Sequence, residues 1–566
     1  MPLKPIFDKA PLTAVTCQPL RAGLVRADHA VLKQLYALAA TDLHPAALEG
    51  TFRLACIVSN HPEEEPVTAV IRTALDNQQA DGSFAVPHAD SVAILRAAWA
   101  LYEYEARKPV LEHIARWCGW AAQNWDALLA DDAIWANPSD LMELLENLYR
   151  VTGKAALLTL CERLSSQSMV WSSVLNTISV QRPTNRSVSR EEMLIGLERE
   201  NGSREGFYTH YYRTNHPEQM ADGARSAMAK GWYSGSATEL NATRNAWERL
   251  VRHHGAICGG LTSDELLEGT SPSAAVSTAA LGAWAEALCS AAMGDHAVWA
   301  WDAMERMVCN AMPACLQNGV LLSSQRVNSL TDIPSEQDCF HVNADHGMRA
   351  LNRLTRGYAA VVSSAVTASP NGFGVNLYMP GKYAVPLGDA LVLLTISNNE
   401  KGCVITVHCK QDVKAALRLR LPAWSRNTEV VINGMDSDAG KDCTAGYMTI
   451  ERSWHDGDVI SVNLEQTVRL LEGHHQGKYL LKGPVLMTLP VTDESEWAQV
   501  LLASAEEAGK ITGLFDTAKE WKRKGDVPAD IPVLPAASGR EPANRELTPY
   551  AATPARIALF PGRKNA

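Results

Sequence analysis

The sequence predicts a helical (α/α)6 barrel followed by an antiparallel β-sandwich. From about residue 27 to about residue 360, apolar residues recur three and four apart, which is the period of amphipathic helices. After about residue 370 the period changes to two and Val, Ile and Thr become frequent, as in β-strands. The chain has 566 residues, 46% of them hydrophobic, which is ample for two or three domains with buried cores.

The helical part, residues 27–366, consists of segments such as "HAVLKQLYALAA", "DSVAILRAAWALYEYE" and "SDLMELLENLYRVTG". Short turns with Gly, Asp or Asn separate several of them, for example "QADGSF" and "RVTGKA". Short connections make consecutive helices pack antiparallel, so the pattern predicts an array of helical hairpins.

The sandwich is expected over residues 367–505, where segments such as "GCVITVHCK", "TEVVINGM" and "DVISVNLEQTVRLL" alternate in twos. Residues 506–566 are polar and rich in Pro, which predicts a loop-rich extension of the sandwich. Residues 1–26 contain no clear helix, and we expect them to add strands to the sandwich.

The bulk properties exclude several partners. The net charge of −11 and the absence of a Lys/Arg-rich run argue against nucleic acid, which requires a basic surface. No apolar run is long enough for a membrane span, and the N-terminus lacks the features of a signal peptide, so we expect a cytoplasmic protein without a membrane partner. The 12 cysteines form no CxxC pair and are expected to be mostly small buried hydrophobes. The sequence does not determine the oligomeric state, and a homodimer is one of the alternatives.

Four segments carry a more specific resemblance. The run that begins "GGLTSDE" and continues through "GD", "ER" and "NAMPA" resembles, in order and spacing, a segment of the β-L-arabinofuranosidase family, glycoside hydrolase family 127 and its relatives. "CFHVNADHGMRALNRL" resembles that family's Cys-Cys stretch, "LRLRLPAWSRNTEVVING" its sandwich, and "NHPEQMADGAR" its His-containing helix start. The resemblance covers roughly residues 209–561. A helical barrel joined to a sandwich is also common among carbohydrate-active enzymes, although fold alone does not establish activity.

The resemblance implies a catalytic set. The family's acid/base glutamate falls on Glu265, and its nucleophilic cysteine falls on Cys339. The family's zinc is held by one Glu and three Cys, but the Glu-x-Cys falls on Ser277 and Ala279, and the second cysteine of the pair falls on Phe340. Since a zinc site requires at least three protein donors, we expect that the family's zinc is lost and that no cofactor is present.

Without zinc, Cys339 needs another activator, because a free thiol is mostly protonated at neutral pH. The neighbouring His341 and His346 would favour the thiolate. Acidic residues in the same loop would oppose it, since negative charge raises the pKa of a thiol. These residues are Glu336, Asp338 and Asp345.

Several residues are candidates for sugar binding, and each has an alternative structural role. The candidates are His216, Gln219, Asp222, Asp140, His341 and His346. Thr262 and Glu265 also fit a helix capping box, and Asp140 also fits an N-cap. His253 and His254 are expected at the surface at a helix end, whereas Gln325 and Asn328 match a polar stretch of the relatives.

The sequence therefore predicts an exo-acting glycoside hydrolase that removes a terminal sugar, such as a furanose, from an imported oligosaccharide. Attack by Cys339 would retain the anomeric configuration, whereas attack by water activated by a second carboxylate would invert it. Asp140, Asp222, Asp338 and Asp345 are the candidates for that carboxylate. Two alternatives remain: a catalytically silent sugar-binding descendant, and a sugar epimerase or lyase that uses a histidine or tyrosine base.

Overall fold

A computed structural model shows the architecture of most of the chain. The backbone is described for residues 25–26, 29–204, 206–263, 265–271, 273–293, 297–317, 319–329, 344–369, 372–387, 390–436, 443–444, 446–466, 468–474, 477–491, 530–533, 543–552 and 555–560. Within these ranges, side chains are not described for 25–26, 185–186, 344–346, 369, 443–444, 530–533 and 543–546.

The first part of the chain is helical. In chain order the helices are α1 (Ala30–Ala39), α2 (Pro45–Val58), α3 (Pro66–Asp76), α4 (His88–Glu105), α5 (Lys108–Gln123), α6 (Trp125–Ala130), α7 (Asp132–Ala136), α8 (Ser139–Thr152), α9 (Ala155–Gln167), α10 (Trp171–Thr177), α11 (Thr184–Ser187), α12 (Arg190–Glu200), α13 (Phe207–Asn215), α14 (Pro217–Ser234), α15 (Ala237–His254), α16 (Thr278–Ala292), α17 (Val298–Arg306), α18 (Met312–Ala314) and α19 (Ala344–Ser364). None of these described helices is both long and apolar enough to span a membrane.

Six of these helices close a ring. In order, α2, α4, α8, α14, α16 and α19 each pack against the next, and α19 packs against α2. Outer helices such as α3, α5, α9 and α15 follow the inner ones, so that the inner helices all run in the same direction. Gly282 on α16 and Gly357 on α19 let two inner helices approach closely, since a Cβ atom at Gly282 would lie 2.1 Å from the Arg353 carbonyl oxygen. The prediction of an (α/α)6 barrel is confirmed.

Charged side chains from the inner helices cross the barrel axis. We call this set the ionic layer; it consists of Glu49, Arg96, Asp140, Glu143, Asp222, Arg225, Glu286, Arg353 and Arg356. Arg225 is 1% exposed and Glu286 is 6% exposed. Buried charges require partners, and here each guanidinium is paired with at least two carboxylates. The layer separates the two ends of the barrel interior.

Strands begin in the barrel loops and then form the sandwich. In chain order they are β1 (Val25–Arg26), β2 (Ala275–Ser277), β3 (Leu316–Gln317), β4 (Val320–Leu321), β5 (Ser324–Arg326), β6 (Val366–Ser369), β7 (Gly372–Val375), β8 (Gly381–Leu387), β9 (Ala390–Asn399), β10 (Gly402–Cys409), β11 (Val413–Arg420), β12 (Thr428–Ile432), β13 (Met435–Asp436), β14 (Cys443–Thr444), β15 (Tyr447–Trp454), β16 (Val459–Leu464), β17 (Val468–Glu472), β18 (Lys478–Lys482), β19 (Val485–Pro490), β20 (Asp530–Val533), β21 (Ala543–Glu546), β22 (Thr548–Pro549) and β23 (Arg556–Ile557).

The sandwich contains a seven-stranded sheet, in the order β1-β8-β9-β10-β16-β12-β13, and a five-stranded sheet, in the order β14-β15-β11-β7-β6. Alternate residues of β9, β11 and β16 are buried, as the period of two predicts. The pairing is antiparallel except between β11 and β7, which run parallel. A third sheet is built from β17, β18, β19 and the chain end. Strand β1, near the N-terminus, pairs with β8 of the sandwich.

Candidate active site

A cavity of about 380 Å³ lies where the loop after α15 meets α13, α14 and α19. We call it the Glu265 cavity. Its wall includes Tyr212, His216, Glu218, Glu265 and Arg349. It therefore contains the predicted acid/base glutamate and one predicted sugar-binding residue, His216.

The loop that carries Glu265 is fixed by hydrogen bonds to its surroundings. The Thr262 hydroxyl donates to the carbonyl oxygens of His254 and Gly269, and the Leu267 N–H donates to the Asn215 carbonyl oxygen. No helix begins at Thr262 in the described part of this loop. The alternative interpretation of Thr262 and Glu265 as a helix capping box is therefore wrong.

His254 is the buried anchor of this loop. It is 0% exposed; its Nε2 lies 2.7 Å from the Val180 carbonyl oxygen, and its Nδ1 accepts from the Gly269 N–H at 2.8 Å. Burial lowers the pKa of His254 to about 4. The expectation that His254 lies at the surface is wrong, because the loop folds back over the helix end. His253 is half-buried.

Tyr212 contacts Glu265 directly. Its hydroxyl donates a hydrogen bond of 2.7 Å to Glu265 Oε1. Burial, and then the negative charge of Glu265, raise the pKa of Tyr212 far above the usual value, so its proton stays on the phenol. No sequence motif singled out Tyr212.

His216 presents a neutral imidazole to the cavity. Burial lowers its pKa to about 4, and its ring lies 5.3 Å from the Tyr212 ring, measured between centroids. It occupies the N-cap position of α14 without a capping hydrogen bond, and its buried Nδ1 has no hydrogen-bond partner within the described residues. This nitrogen is available to a ligand hydroxyl.

Glu218 is a second carboxylate in the cavity, and no sequence motif pointed to it. Arg353 Nε lies 2.7 Å from its Oε1, and Arg349 Nε lies 2.9 Å from its Oε2. Burial alone would raise the pKa of Glu218, but these two guanidinium groups lower it to about 2. Glu218 is therefore ionised at neutral pH. Arg349, Arg353 and Arg356 are spaced i, i+4, i+7, a one-sided helical pattern that could have revealed them.

The two positions on which the resemblance places the family's zinc-binding Glu-x-Cys also line this cavity. They are Ser277 and Ala279. The Ser277 hydroxyl accepts from the Ala280 N–H at 3.3 Å and so caps α16, while Ala279 offers no ligand atom. The only described group of three metal-ligating side chains is the exposed set His61, Glu63 and Glu64, which is not part of the cavity. The described residues of the Glu265 cavity do not fit the family's zinc.

A second space, the axial cavity of about 540 Å³, lies at the N-terminal ends of the inner helices. It shares Glu218 and Arg349 with the Glu265 cavity and also contains Asp140 and Asp222. Both aspartates bind arginines: Arg353 contacts Asp222, and Asp140 contacts three guanidinium groups, those of Arg96, Arg225 and Arg356. The alternative interpretation of Asp140 as an N-cap is wrong, because the N-cap position of α8 is Pro138 and Asp140 lies in the first turn.

The other predicted residues lie elsewhere. Gln219 is half-buried, and its Oε1 has no hydrogen-bond partner in the described part of the chain. Gln325 donates to the Ala311 carbonyl oxygen and accepts from Arg556 at 3.4 Å. Asn328 accepts from the N–H groups of Ala558 and Leu559, so both residues contact the C-terminal segment.

Some predicted residues fall outside the described residues. The nucleophile candidate Cys339 is among them, with Glu336, Asp338, Phe340 and His341. The backbone of Asp345 and His346 belongs to α19, but their side chains are not described.

The described residues form a barrel of six inner helices joined to a β-sandwich, and Glu265 lies in a cavity lined partly by inner helices. Comparison with known proteins is more specific. Residues 372–466 match the middle domain of the β-L-arabinofuranosidases of glycoside hydrolase family 127. No curated protein sequence matches the chain significantly.

Solved structures match over nearly the whole length. A GH127 β-L-arabinofuranosidase from Geobacillus stearothermophilus T6 is 16% identical, with a TM-score of 0.60 and 94% of each chain covered. A glycoside hydrolase is 12% identical, with a TM-score of 0.67 over 99% of this chain and 100% of the other. A GH127 β-arabinofuranosidase is 12% identical, with a TM-score of 0.61 and 98% of each chain covered. Residues 372–466 therefore match the middle domain of that family, and the chain as a whole shares the fold of these enzymes.

Proposed function

We propose that this chain is an exo-acting glycosidase that removes a terminal furanose, such as arabinofuranose, from an oligosaccharide, with Glu265 as general acid/base. One observation carries the proposal. The position of the family's acid/base residue, Glu265, and the positions of two of its metal ligands, Ser277 and Ala279, line the same cavity. The cavity volume of about 380 Å³ falls in the range of small-molecule sites.

Each described group has a role in this reaction. Glu265 protonates the leaving oxygen, and the Tyr212 hydroxyl orients its carboxyl group. The neutral His216 hydrogen-bonds a sugar hydroxyl through its free Nδ1. Glu218, kept negative by Arg349 and Arg353, stabilises the positive charge that develops on the sugar ring.

Two mechanisms differ in the group that attacks the anomeric carbon. If Cys339 attacks the anomeric carbon, the reaction passes through a thioglycosyl intermediate and retains configuration. If water attacks, a carboxylate must take its proton. Asp140 and Asp222 line the axial cavity and bind arginines. Glu218 lies in the Glu265 cavity, but its pKa of about 2 suits charge stabilisation better than proton abstraction. The retaining mechanism with Cys339 is the one that we propose.

The test is a set of two variants. Glu265→Gln keeps the shape of the side chain but removes its transferable proton, so turnover of a glycoside with an alkyl or sugar leaving group should fall by about 10²-fold to 10⁴-fold. The turnover of a substrate with an acidic phenol leaving group should fall less. Cys339→Ser should strongly reduce the turnover of both substrates if the thiolate attacks.

Near-normal turnover of an oligosaccharide by Glu265→Gln would refute the assignment. If the wild-type chain binds the sugar but hydrolyses no substrate, whatever its leaving group, a catalytically silent sugar-binding descendant would be favoured. The changed positions Ser277 and Ala279 are consistent with that alternative.

We also propose that the family's zinc plays no part here, because Ser277 is engaged as a helix cap and Ala279 has no donor. Elemental analysis of protein purified without chelator should give far less than one zinc per chain. A stoichiometric zinc that resists dialysis would contradict this and would require ligands other than these two positions.

A further inference from the structure

A third cavity, of about 190 Å³, lies on the other side of the ionic layer, between later turns of the inner helices. We call it the rear cavity. Its wall includes Glu146 and Arg150 of α8, Trp232 of α14, Glu286 of α16 and Ser363 of α19. None of these residues lines the Glu265 cavity or the axial cavity. The proposed hydrolysis uses none of them.

Four polar atoms of this wall are buried and have no hydrogen-bond partner in the part of the chain that the structure describes. They are Glu146 Oε1, Glu286 Oε2, Trp232 Nε1 and Ser363 Oγ. Glu146 and Ser363 are each 3% exposed, and Glu286 is 6% exposed. Glu286 Oε2 has one ion-pair contact, at 3.8 Å from Arg353 Nη1. Buried polar groups in folded proteins are nearly always satisfied, so these atoms around one cavity indicate that a polar molecule completes their hydrogen bonds.

The wall offers donors and acceptors together. Trp232 offers an N–H group, Ser363 a hydroxyl group, and Glu146 and Glu286 offer carboxyl oxygens. The guanidinium of Arg150 lies 5.2 Å from the Trp232 ring centroid and makes no ion pair with any described residue. Its N–H groups are further donors. A molecule whose hydroxyl groups both donate and accept matches this mixture.

The charges around the cavity disfavour an ion. A cation would meet Arg150, and an anion would meet the carboxylate of Glu143, which also lines the cavity. Burial raises the pKa of Glu146 to about 8; the charge of Arg150 opposes this effect and that of Glu143 reinforces it. The carboxyl group of Glu146 is therefore mostly neutral at pH 7 and can donate as well as accept hydrogen bonds. The volume corresponds to roughly six molecules of liquid water, which is the size class of a small sugar or sugar alcohol.

We propose that the rear cavity is a binding site for a neutral polyol of monosaccharide size, separate from the site of hydrolysis. Glu146 and Glu286 bind its hydroxyl protons, and Trp232, Ser363 and Arg150 donate to its hydroxyl oxygens. The inference does not depend on the proposed reaction, since a chain without hydrolytic activity would have the same cavity.

The experiment measures binding of three probes, L-arabinose, D-xylose and xylitol, by saturation-transfer NMR and by the shift in melting temperature of the full chain. Trp232→Phe keeps the ring and removes the N–H group, and Ser363→Ala removes the hydroxyl group. Each should raise the Kd of the bound probe by about 3-fold to 10-fold, because each removes one hydrogen bond. Circular dichroism checks that both variants are folded.

Glu265→Gln serves as the matched control, since it changes the Glu265 cavity and not the rear cavity. Any probe bound there should bind this variant as it binds the wild type. The proposal is overturned if no probe binds the wild type, which would indicate a water-filled cavity. It is equally overturned if Glu265→Gln weakens binding while Trp232→Phe and Ser363→Ala do not, since the probe would then occupy the Glu265 cavity.

Discussion

At the scale of single residues, the contact between Tyr212 and Glu265 decides how the proposed acid/base group is presented. The phenol keeps its proton because burial and the nearby carboxylate raise its pKa. Its hydroxyl therefore keeps the proton with which it donates to Glu265 Oε1. A hydrogen bond to a charged group is stronger than one between neutral groups, so Tyr212 holds the carboxyl group in a fixed orientation.

Tyr212→Phe should therefore lower kcat by about 10-fold with little change in KM, because orientation matters in the transition state more than in substrate binding. Steady-state kinetics on a glycoside with a poor leaving group measures the effect. Tyr211→Phe is the control, since the neighbouring Tyr211 hydroxyl donates to the Thr184 carbonyl oxygen instead. Equal effects of the two changes would show that Tyr212 has only a packing role.

The sequence reveals a site residue when that residue belongs to a local motif, and it does not when the residue acts through distant contacts. Glu265 and His216 stand in recognisable motifs, and both prove to line one cavity. Tyr212, Glu218 and the arginines of α19 act through contacts between segments far apart in the chain, for example Arg353 with Glu218. No local pattern encodes such a pairing. For Asp140 the local pattern was misleading. Its position in the sequence suggested a helix N-cap, but three arginines from other helices bind it.

At the scale of elements, the loop between α15 and β2 depends on His254. Its Nε2 carries the proton towards the Val180 carbonyl oxygen, so Nδ1 is the acceptor for the Gly269 N–H. A second proton on Nδ1 would face that N–H group and break the contact. This geometry agrees with the pKa of about 4, which burial causes.

The loop should therefore loosen in acid. An unfolded histidine has a pKa near 6.5, so the unfolded chain binds this proton first as the pH falls, and stability decreases from about pH 6.5 to about pH 4. The full loss is about 3 kcal/mol on an order-of-magnitude basis. His254→Gln keeps a donor and an acceptor but cannot titrate, so urea unfolding between pH 7 and pH 4.5 should show a shallower pH dependence. His253→Gln is the control; identical slopes for both variants would contradict the assignment.

Periodicity predicted the elements well, because helix and strand formation depend on neighbouring residues. The alternation of β9 and β11 and the amphipathic helices of the barrel follow directly from the pattern. The parallel pairing of β11 with β7 did not follow, since register and direction depend on the whole sheet. The ionic layer was equally hidden, because each of its charges reads locally as an exposed helical residue.

At the scale of the whole molecule, the barrel and the sandwich share a junction of paired charges. Arg420 of β11 is 0% exposed and forms ion pairs with Asp302 and Glu305 of α17. The Trp424 indole N–H donates to Glu305 at 2.7 Å. The two domains also share a continuous apolar core that runs from the barrel helices into the strands. We therefore expect them to unfold together.

Arg420→Met tests this coupling. It leaves Asp302 and Glu305 at the junction without their cation, which should cost about 3 to 5 kcal/mol, because a buried charge without a partner is expensive. The loss falls on contacts between the domains, so urea unfolding followed by tryptophan fluorescence and by far-UV circular dichroism should no longer give coincident transitions.

A triple variant, Arg420→Met with Asp302→Asn and Glu305→Gln, supplies the matched comparison, since it removes all three charges and their desolvation cost together. It should recover much of the stability lost in Arg420→Met, because replacing a whole buried ionic cluster by neutral groups is often nearly neutral. Coincident transitions in Arg420→Met would show that the apolar core alone couples the domains. A triple variant as unstable as the single one would show that Arg420 acts through its contact with the Asn376 carbonyl oxygen rather than through its charge.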